Sequence, residues 1–278
     1  MGPARLIRMV VASVVAATLV VAAAYAQGYR FREGSLPARY APAQMPDGAF
    51  VVCRLAYRSV RAEPMGIGWQ TDYPFAEINL TTRLSELTKT RVSRGANGTP
   101  NHFVVRLTDD ALFNCPLTVA SDVGSLGFRT EEIERLRTYL LKGGFLWVDD
   151  FWGSLAWRQW ASEIAKVLPP SEYPIVDVGL DDPLLKTMFE VKQIPQITNI
   201  QFWRGVDGRS TSERGSDSVD VHLRAIRDTR GRIIVLMTHN TDVADSWERE
   251  GEDPAFFQQF SPSGYALGID VLLHAMTH

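Results

Sequence analysis

The sequence predicts an α/β domain, doubly wound, with a mainly parallel sheet flanked by helices and a β-hairpin in its second half. Three observations carry this expectation. Phe145-Leu146-Trp147-Val148 is an apolar run without alternation, as in a strand covered on both faces. It follows a helix-like segment closed by Gly143-Gly144, and strand-like and helix-like segments alternate on either side of it. Residues 221–226 and 233–237 flank Asp228-Thr229-Arg230-Gly231, the pattern of a hairpin with glycine at the tight position.

In chain order, residues 1–26 carry the parts of a secretory signal peptide. Arg5 and Arg8 form the charged region, residues 9–21 the apolar one, and Ala24-Tyr25-Ala26 a small-x-small cleavage site. The expectation is cleavage after Ala26 and export to the periplasm or the cell exterior. The alternative is an inner-membrane anchor through residues 9–26, although that Ala/Val-rich stretch is shorter than the roughly 20 residues that span a bilayer comfortably. Membrane contact is expected only if the signal stays uncleaved. Residues 27–48 read as an irregular lead-in, and 49–278 as a single domain.

Within that domain, residues 49–57 have the Val and Leu content of a strand, and 58–73 are polar, Gly-bearing and aromatic, as a functional loop would be. Phe75, Ile78, Leu84 and Leu87 give a first helix over 75–88, followed by strands at 102–108 and 116–120. Thr130 is expected to cap the clearest helix, with Glu131, Glu132 and Glu134 near its positive end and Ile133, Leu136 and Leu140 on one face. Gly143-Gly144 supply its C-terminal cap. Another helix is expected over 153–168, a short one over 181–189, an extended segment over 198–204 and a mobile surface loop over 204–220. Ser261-Pro262 reads as the start of the last helix, with Leu267, Val271 and His274 sharing a face.

The formal charge is −3, and −5 once residues 1–26 and their two arginines are removed. With no basic block, no nucleic-acid partner is expected. Cys53 and Cys115 each lie beside an apolar run and read as buried thiols, with a disulfide permitted in an oxidising compartment. There is no glycine-rich phosphate loop, no G-x-S-x-G elbow, no H-E-x-x-H and no C-x-x-C pair, so no nucleotide cofactor is expected.

Open parallel sheets bind ligands beyond the carboxyl ends of their strands, which selects three clusters: Asp109-Asp110, Asp149-Asp150-Phe151-Trp152 and His239-Asn240-Thr241-Asp242. Adjacent carboxylates leaving a buried strand repel unless a cation, an arginine or a shared proton compensates. Asp149 and Asp150 therefore read as metal ligands, an acid/base group or acceptors for sugar hydroxyls; the competing reading has Asp150 capping the next helix and Asp149 solvated or paired with an arginine. His239 and Asp242 could bind a metal or orient a base, with His102 or Asp110 as a third ligand, or simply form a polar turn. The tryptophans at 69, 152, 157, 160, 203 and 247 offer sugar-stacking faces but more simply serve packing. Arg214 could clamp an anion, although Arg204, Arg209, Glu213 and Arg214 also fit a solvated loop.

Trp69-Gln70-Thr71-Asp72-Tyr73-Pro74, Asp122-Val123-Gly124, residues 141–150 and Thr238-His239-Asn240-Thr241-Asp242 together resemble the bacterial family called domain of unknown function 4159. The helix, Gly-Gly, apolar-strand unit and the terminal helix also resemble the class I glutamine-amidotransferase-like fold, near trehalose-utilisation-like proteins, which implies flavodoxin-like layering. That fold places a nucleophilic Cys in the sharp turn where this chain has Asp149-Asp150, so glutaminase activity is not implied. The expectation is an envelope domain that binds a small molecule, a glycan or an envelope protein through Asp72, Tyr73, Asp149, Trp152, Asp242 and Arg214. The alternative is a hydrolase of a glycan or small molecule with Asp150 and His239 as its catalytic pair, for which a divalent metal is a candidate cofactor.

Overall fold

The computed structural model describes residues 37–277, so the signal-like segment and most of the lead-in lie outside the described residues. Seven strands form one sheet in the order β2-β1-β3-β4-β7-β6-β5. They are β1 (Val52–Ala56), β2 (His102–Arg106), β3 (Leu117–Ser121), β4 (Phe145–Asp149), β5 (Ile175–Asp177), β6 (His222–Arg227) and β7 (Ile233–His239). The five strands from β2 to β7 in that order are parallel, and β6 and β5 extend the sheet antiparallel. Tyr40 also bridges Val104 of β2, so the end of the lead-in is not wholly irregular.

The α-helices among the described residues are α1 (Phe75–Leu87), α2 (Thr130–Leu141), α3 (Gly153–Val167), α4 (Ile200–Gly205), α5 (Asp245–Glu248) and α6 (Pro254–Thr277). Alternation along each strand divides the core in two. Val52, Val119, Trp147 and Leu236 pack with Leu80 and Leu84 of α1 and with Phe256 and Leu267 of α6. Cys53, Leu55, Leu146 and Val148 pack on the other side with Leu136 and Leu140 of α2 and Trp160 and Ile164 of α3. Both faces of the parallel strands are thus covered, which is why β4 could be read from its unbroken apolar run. Among the described residues no helix is long and apolar enough to cross a membrane.

Local signals held where they were sufficient in themselves. Gly143 takes φ +115° at the end of α2, and the hairpin joins β6 to β7 as expected. Asp228 Oδ1 accepts from the backbone N–H groups of Arg230 and Arg232 and closes that turn. Several elements differ. Thr130 is the first residue of α2 rather than its cap; Glu132 Oε2 instead accepts the Arg129 N–H at 2.7 Å. Residues 181–189 contain only a 3-10 turn, Pro183–Lys186. The segment expected to be extended is helix α4, capped by Asn199 Oδ1, which accepts from the Gln201 N–H. Helix α6 begins eight residues before Pro262 and runs through it; its cap is Asp253, whose Oδ1 accepts from the N–H groups of Ala255 and Phe256. Cys53 and Cys115 are not free thiols but a disulfide.

Candidate functional site

The strand order reverses between β1 and β3, and at this switch point the loops leaving the carboxyl ends of β1, β3, β4 and β7 meet. Each loop turns through a left-handed residue: Asp72 (φ +66°), Asp122 (+55°), Asp150 (+52°) and Asn240 (+62°). Asp and Asn tolerate this conformation better than other side chains, yet four instances at one edge of one sheet show strain gathered at a site.

Asp72 and Asp242 are buried and Asp150 half-buried, and one carboxylate oxygen from each lies within 4.8 Å of the other two. Asp72 Oδ2 accepts from Ser121 Oγ at 2.7 Å, and Ser121 Oγ in turn accepts from Arg54 Nη1 at 2.6 Å. Asp150 Oδ1 accepts from Trp152 Nε1 at 2.9 Å. Asp242 Oδ1 accepts from the Asp245 N–H at 3.0 Å, while Asp242 Oδ2 has no hydrogen-bond partner among the described residues. Behind them Asp149 accepts from Thr238 Oγ1 at 2.5 Å and from the Ala244 N–H at 2.9 Å. Asp149 is therefore neither solvated nor, among the described residues, paired with an arginine. Nor does Asp150 cap α3; Asn240 Oδ1 and Asp217 Oδ2, from distant loops, accept the N–H groups of Gly153 and Ser154.

Burial and mutual repulsion set the protonation of this group. Burial raises the Asp150 carboxyl well above its usual range, reinforced by Asp72, Glu213, Asp122 and Asp149. Asp242 is raised in the same way by burial and then by Asp150 and Asp72. Burial pushes Asp122 up to about 6 against the opposing Gly68 N–H, which donates to Asp122 Oδ2 at 2.7 Å. A side chain at Gly66 would overlap the Asp122 carboxylate, so this close approach requires glycine.

A narrow cleft opens onto Asp150, lined also by Glu63, Asp122, Trp152, Glu213 and Arg214. Its free space is about 10 Å³, room for one water or one ion. A larger cleft of about 800 Å³ lies around the β6–β7 turn, and two of its arginines, Arg227 and Arg232, are paired with Asp182 and Asp228. Polar chemistry converges at the smaller one.

The expected site residues divide accordingly. Asp72, Asp149, Asp150, Trp152, Asp242 and Arg214 come together. Tyr73 is buried beside Trp69 and His102, its hydroxyl accepting the Arg39 N–H. Asp110 is exposed and paired with Arg135 at 2.9 Å, and His102 stands at the amino end of β2, so neither completes a ligand set with His239. Sequence reasoning missed Asp122, Glu63 and Glu213. Asp122 follows β3 directly, and the rule that selected Asp150 would have found it had the strand not been ended one residue early. Residues 204–220 are anchored rather than mobile: Glu213 Oε1 accepts from Thr198 Oγ1 and the Asn199 N–H, and Arg214 Nη2 donates to the Pro64 carbonyl at 2.8 Å.

Against this geometry stands one comparison with known proteins. The family described as Domain of unknown function (DUF4159) matches residues 52–276. The chain belongs to that family. No curated protein matches it. In this DUF4159 chain the matched region spans every strand of the sheet and all the carboxylates of the cleft.

His239 is not part of the cleft. Successive strand residues face opposite sides of a sheet, so Thr238 turns its hydroxyl to Asp149 and His239 turns the other way. Its ring packs on Phe151 (4.9 Å), Trp157 (5.2 Å) and His222 (5.5 Å), with Nδ1 3.4 Å from Arg224 Nη1 and Nε2 3.2 Å from the Gly153 carbonyl. Burial holds it down to about 4; the Gly153 bond and Asp217 oppose this, and Arg224 and His222 add to it. Because the folded value is depressed, its contribution to stability is present above about pH 6.5 and is lost as pH falls toward 4. The loss attributable to this ring is about 3 kcal/mol. Melting curves of wild type and His239→Gln should therefore diverge at neutral pH and converge by pH 4; parallel pH profiles would show that the ring titrates normally.

Proposed function

We propose that this is an exported ligand-binding domain of the cell envelope, with an amidotransferase-like layering but without amidotransferase chemistry. The observation that carries the reading is that Asp122 and Asp150 line one cleft at the switch point while Asp150 also meets Asp72 and Asp242, with three of the loops turning through strained aspartates. Buried acids that repel one another cost stability, and strain of this kind is retained where a ligand uses it. The two cysteines of the chain are tied to each other, which leaves no thiol for a glutaminase step. The same disulfide supports export, since such bonds persist in oxidising compartments. The ligand is a small molecule or glycan that presents a polar or cationic group to Asp150, Asp122 and Glu213 at the mouth of the cleft. The hydrolase alternative has less support, because His239 lies among aromatic rings rather than beside Asp150.

A thermal-shift screen of the purified protein against a sugar panel and small cationic compounds tests this reading. A ligand at about a hundred times its dissociation constant stabilises by roughly 2.7 kcal/mol, a readily measured shift. The shift is expected to vanish in Asp150→Asn and to persist in His239→Gln. A shift abolished by His239→Gln and kept by Asp150→Asn would move the site to the aromatic cluster and overturn the proposal; no shift from any compound would favour a protein partner.

A further inference from the structure

Carboxylates gathered in one place are common on protein surfaces, so the cluster needs something more to signify a ligand. Asp242 provides it. Its side chain is fully buried, one oxygen is satisfied by the Asp245 N–H, and the other has no hydrogen-bond partner among the described residues. A buried carboxylate oxygen left without a donor is costly, and in native proteins such an orphan calls for an explanation, an ion among them. Among the described residues neither Asp150 nor Asp242 has an ion-pair partner within 4.0 Å, although the two face each other and Asp72 across less than 4.8 Å. The neighbouring trio Asp72, Asp245 and Glu248 differs, because Arg249 already pairs with Asp245 and Glu248 there.

We propose that Asp72, Asp150 and Asp242 together bind a hard divalent cation at the foot of the cleft. This deepens the cleft reading above and rests on it. Three oxygens within 4.8 Å of one another can all lie on a cation whose bonds to oxygen are about 2.0 to 2.6 Å. The donor set is oxygen only, which suits calcium, magnesium or manganese rather than a softer metal. All three ligands are oriented by further hydrogen bonds, as metal ligands usually are, Asp242 through the Asp245 N–H already described. Ser121 Oγ, backed by Arg54, donates to Asp72, and the Trp152 indole donates to Asp150. Half-buried Asp150 lines the cleft, so the ion has a route in, and the free space beside it is that of a single ion or water.

The placement of Trp152 supplies the measurement. Terbium, a calcium mimic, bound at this site should emit on excitation of the Trp152 indole. Terbium titration and calcium, magnesium and manganese calorimetry on the metal-stripped protein are expected to show one saturable site. Asp242→Asn and Asp150→Asn should each weaken it by about tenfold or more, while Asp110→Asn, on an exposed carboxylate, leaves it unchanged. Without metal, Asp242→Asn should melt higher than wild type because a repelling charge is gone, and calcium should raise the wild-type melting temperature but not that of the variant. Absence of saturable binding below millimolar concentration, or equal affinity in wild type and both cleft variants, overturns the proposal. Its failure and that of the cleft reading are separable. A sugar or amine response in a protein that shows no saturable cation binding keeps the cleft and removes the ion, whereas ion binding with no organic response does the reverse.

Discussion

Replacing Arg54 by methionine is expected to lower the stability of the fold by about 3–5 kcal/mol, among the largest effects of any single substitution in this chain. Arg54 is completely buried in the middle of β1, on the face covered by α1. Its Nε donates to Glu77 Oε1 at 2.6 Å and its Nη1 to Ser121 Oγ at 2.6 Å, within walls made by Val52, Leu80, Val119 and Trp147. Burial opposes the guanidinium charge, but Glu77 and then Asp72 more than restore it. Removing the cation alone strands Glu77 in an apolar layer, and the cost is mainly that of the abandoned carboxylate rather than of a lost attraction. The double variant Arg54→Met/Glu77→Leu should recover much of the loss, since a buried ion pair replaced by apolar groups of similar volume is often close to neutral. Urea unfolding of the wild type, the two single variants and the double variant gives the cycle directly. A loss under about 1 kcal/mol for Arg54→Met would mean that the pair is relaxed or hydrated. The pair has a second consequence at the site: it fixes the Ser121 hydroxyl as a donor to Asp72. A double variant that folds well but binds cations less tightly would separate the two roles.

How far the sequence could be read depended on whether the deciding interaction was local. The cap at Gly143, the unbroken run of β4 and the β6–β7 turn are each settled by residues within a few positions, and each was legible. Helix α4 was not, because part of what holds its start is Glu213, 14 residues away from Asn199, reaching back to accept the Asn199 N–H. The same carboxylate makes 204–220 an anchored segment despite its polar composition. Pro262 was misleading because proline favours a helix start, whereas here Asp253 had already begun the helix and Pro262 is carried within it. At the site, strand-end reasoning found Asp149, Asp150 and Asp242, and the family resemblance added Asp72, but neither could say which would meet. One-residue alternation at the end of β7 sent Thr238 to Asp149 and His239 to Phe151 and Trp157, so the imidazole and the Asp149 carboxylate belong to different sides of the sheet.

The cysteines give the other large effect. Cys53 in β1 and Cys115, in the connection between β2 and β3, are joined by a disulfide across a sequence separation of 62 residues. Sequence favoured two buried thiols because each lies beside apolar residues, and both are indeed buried; what the sequence could not show is that parallel pairing of β1 with β2 and β3 brings the two side chains onto the same face, within one core cluster with Leu55, Val105 and Leu112. Closing a loop of this length restricts the unfolded chain, and for such a separation the chain-entropy contribution is about 4 kcal/mol. Cys53→Ala/Cys115→Ala is therefore expected to lose roughly that amount in urea unfolding, and wild type held in dithiothreitol should fall to a similar midpoint, because both remove the same constraint. Agreement between the two would mean that the folded state depends on an oxidising surrounding, since about 4 kcal/mol is a large part of the 5–15 kcal/mol that usually holds a domain together. A double variant as stable as wild type, or two thiols titrating in the unreduced native protein, would remove both the stability claim and the support that the bond gives to export.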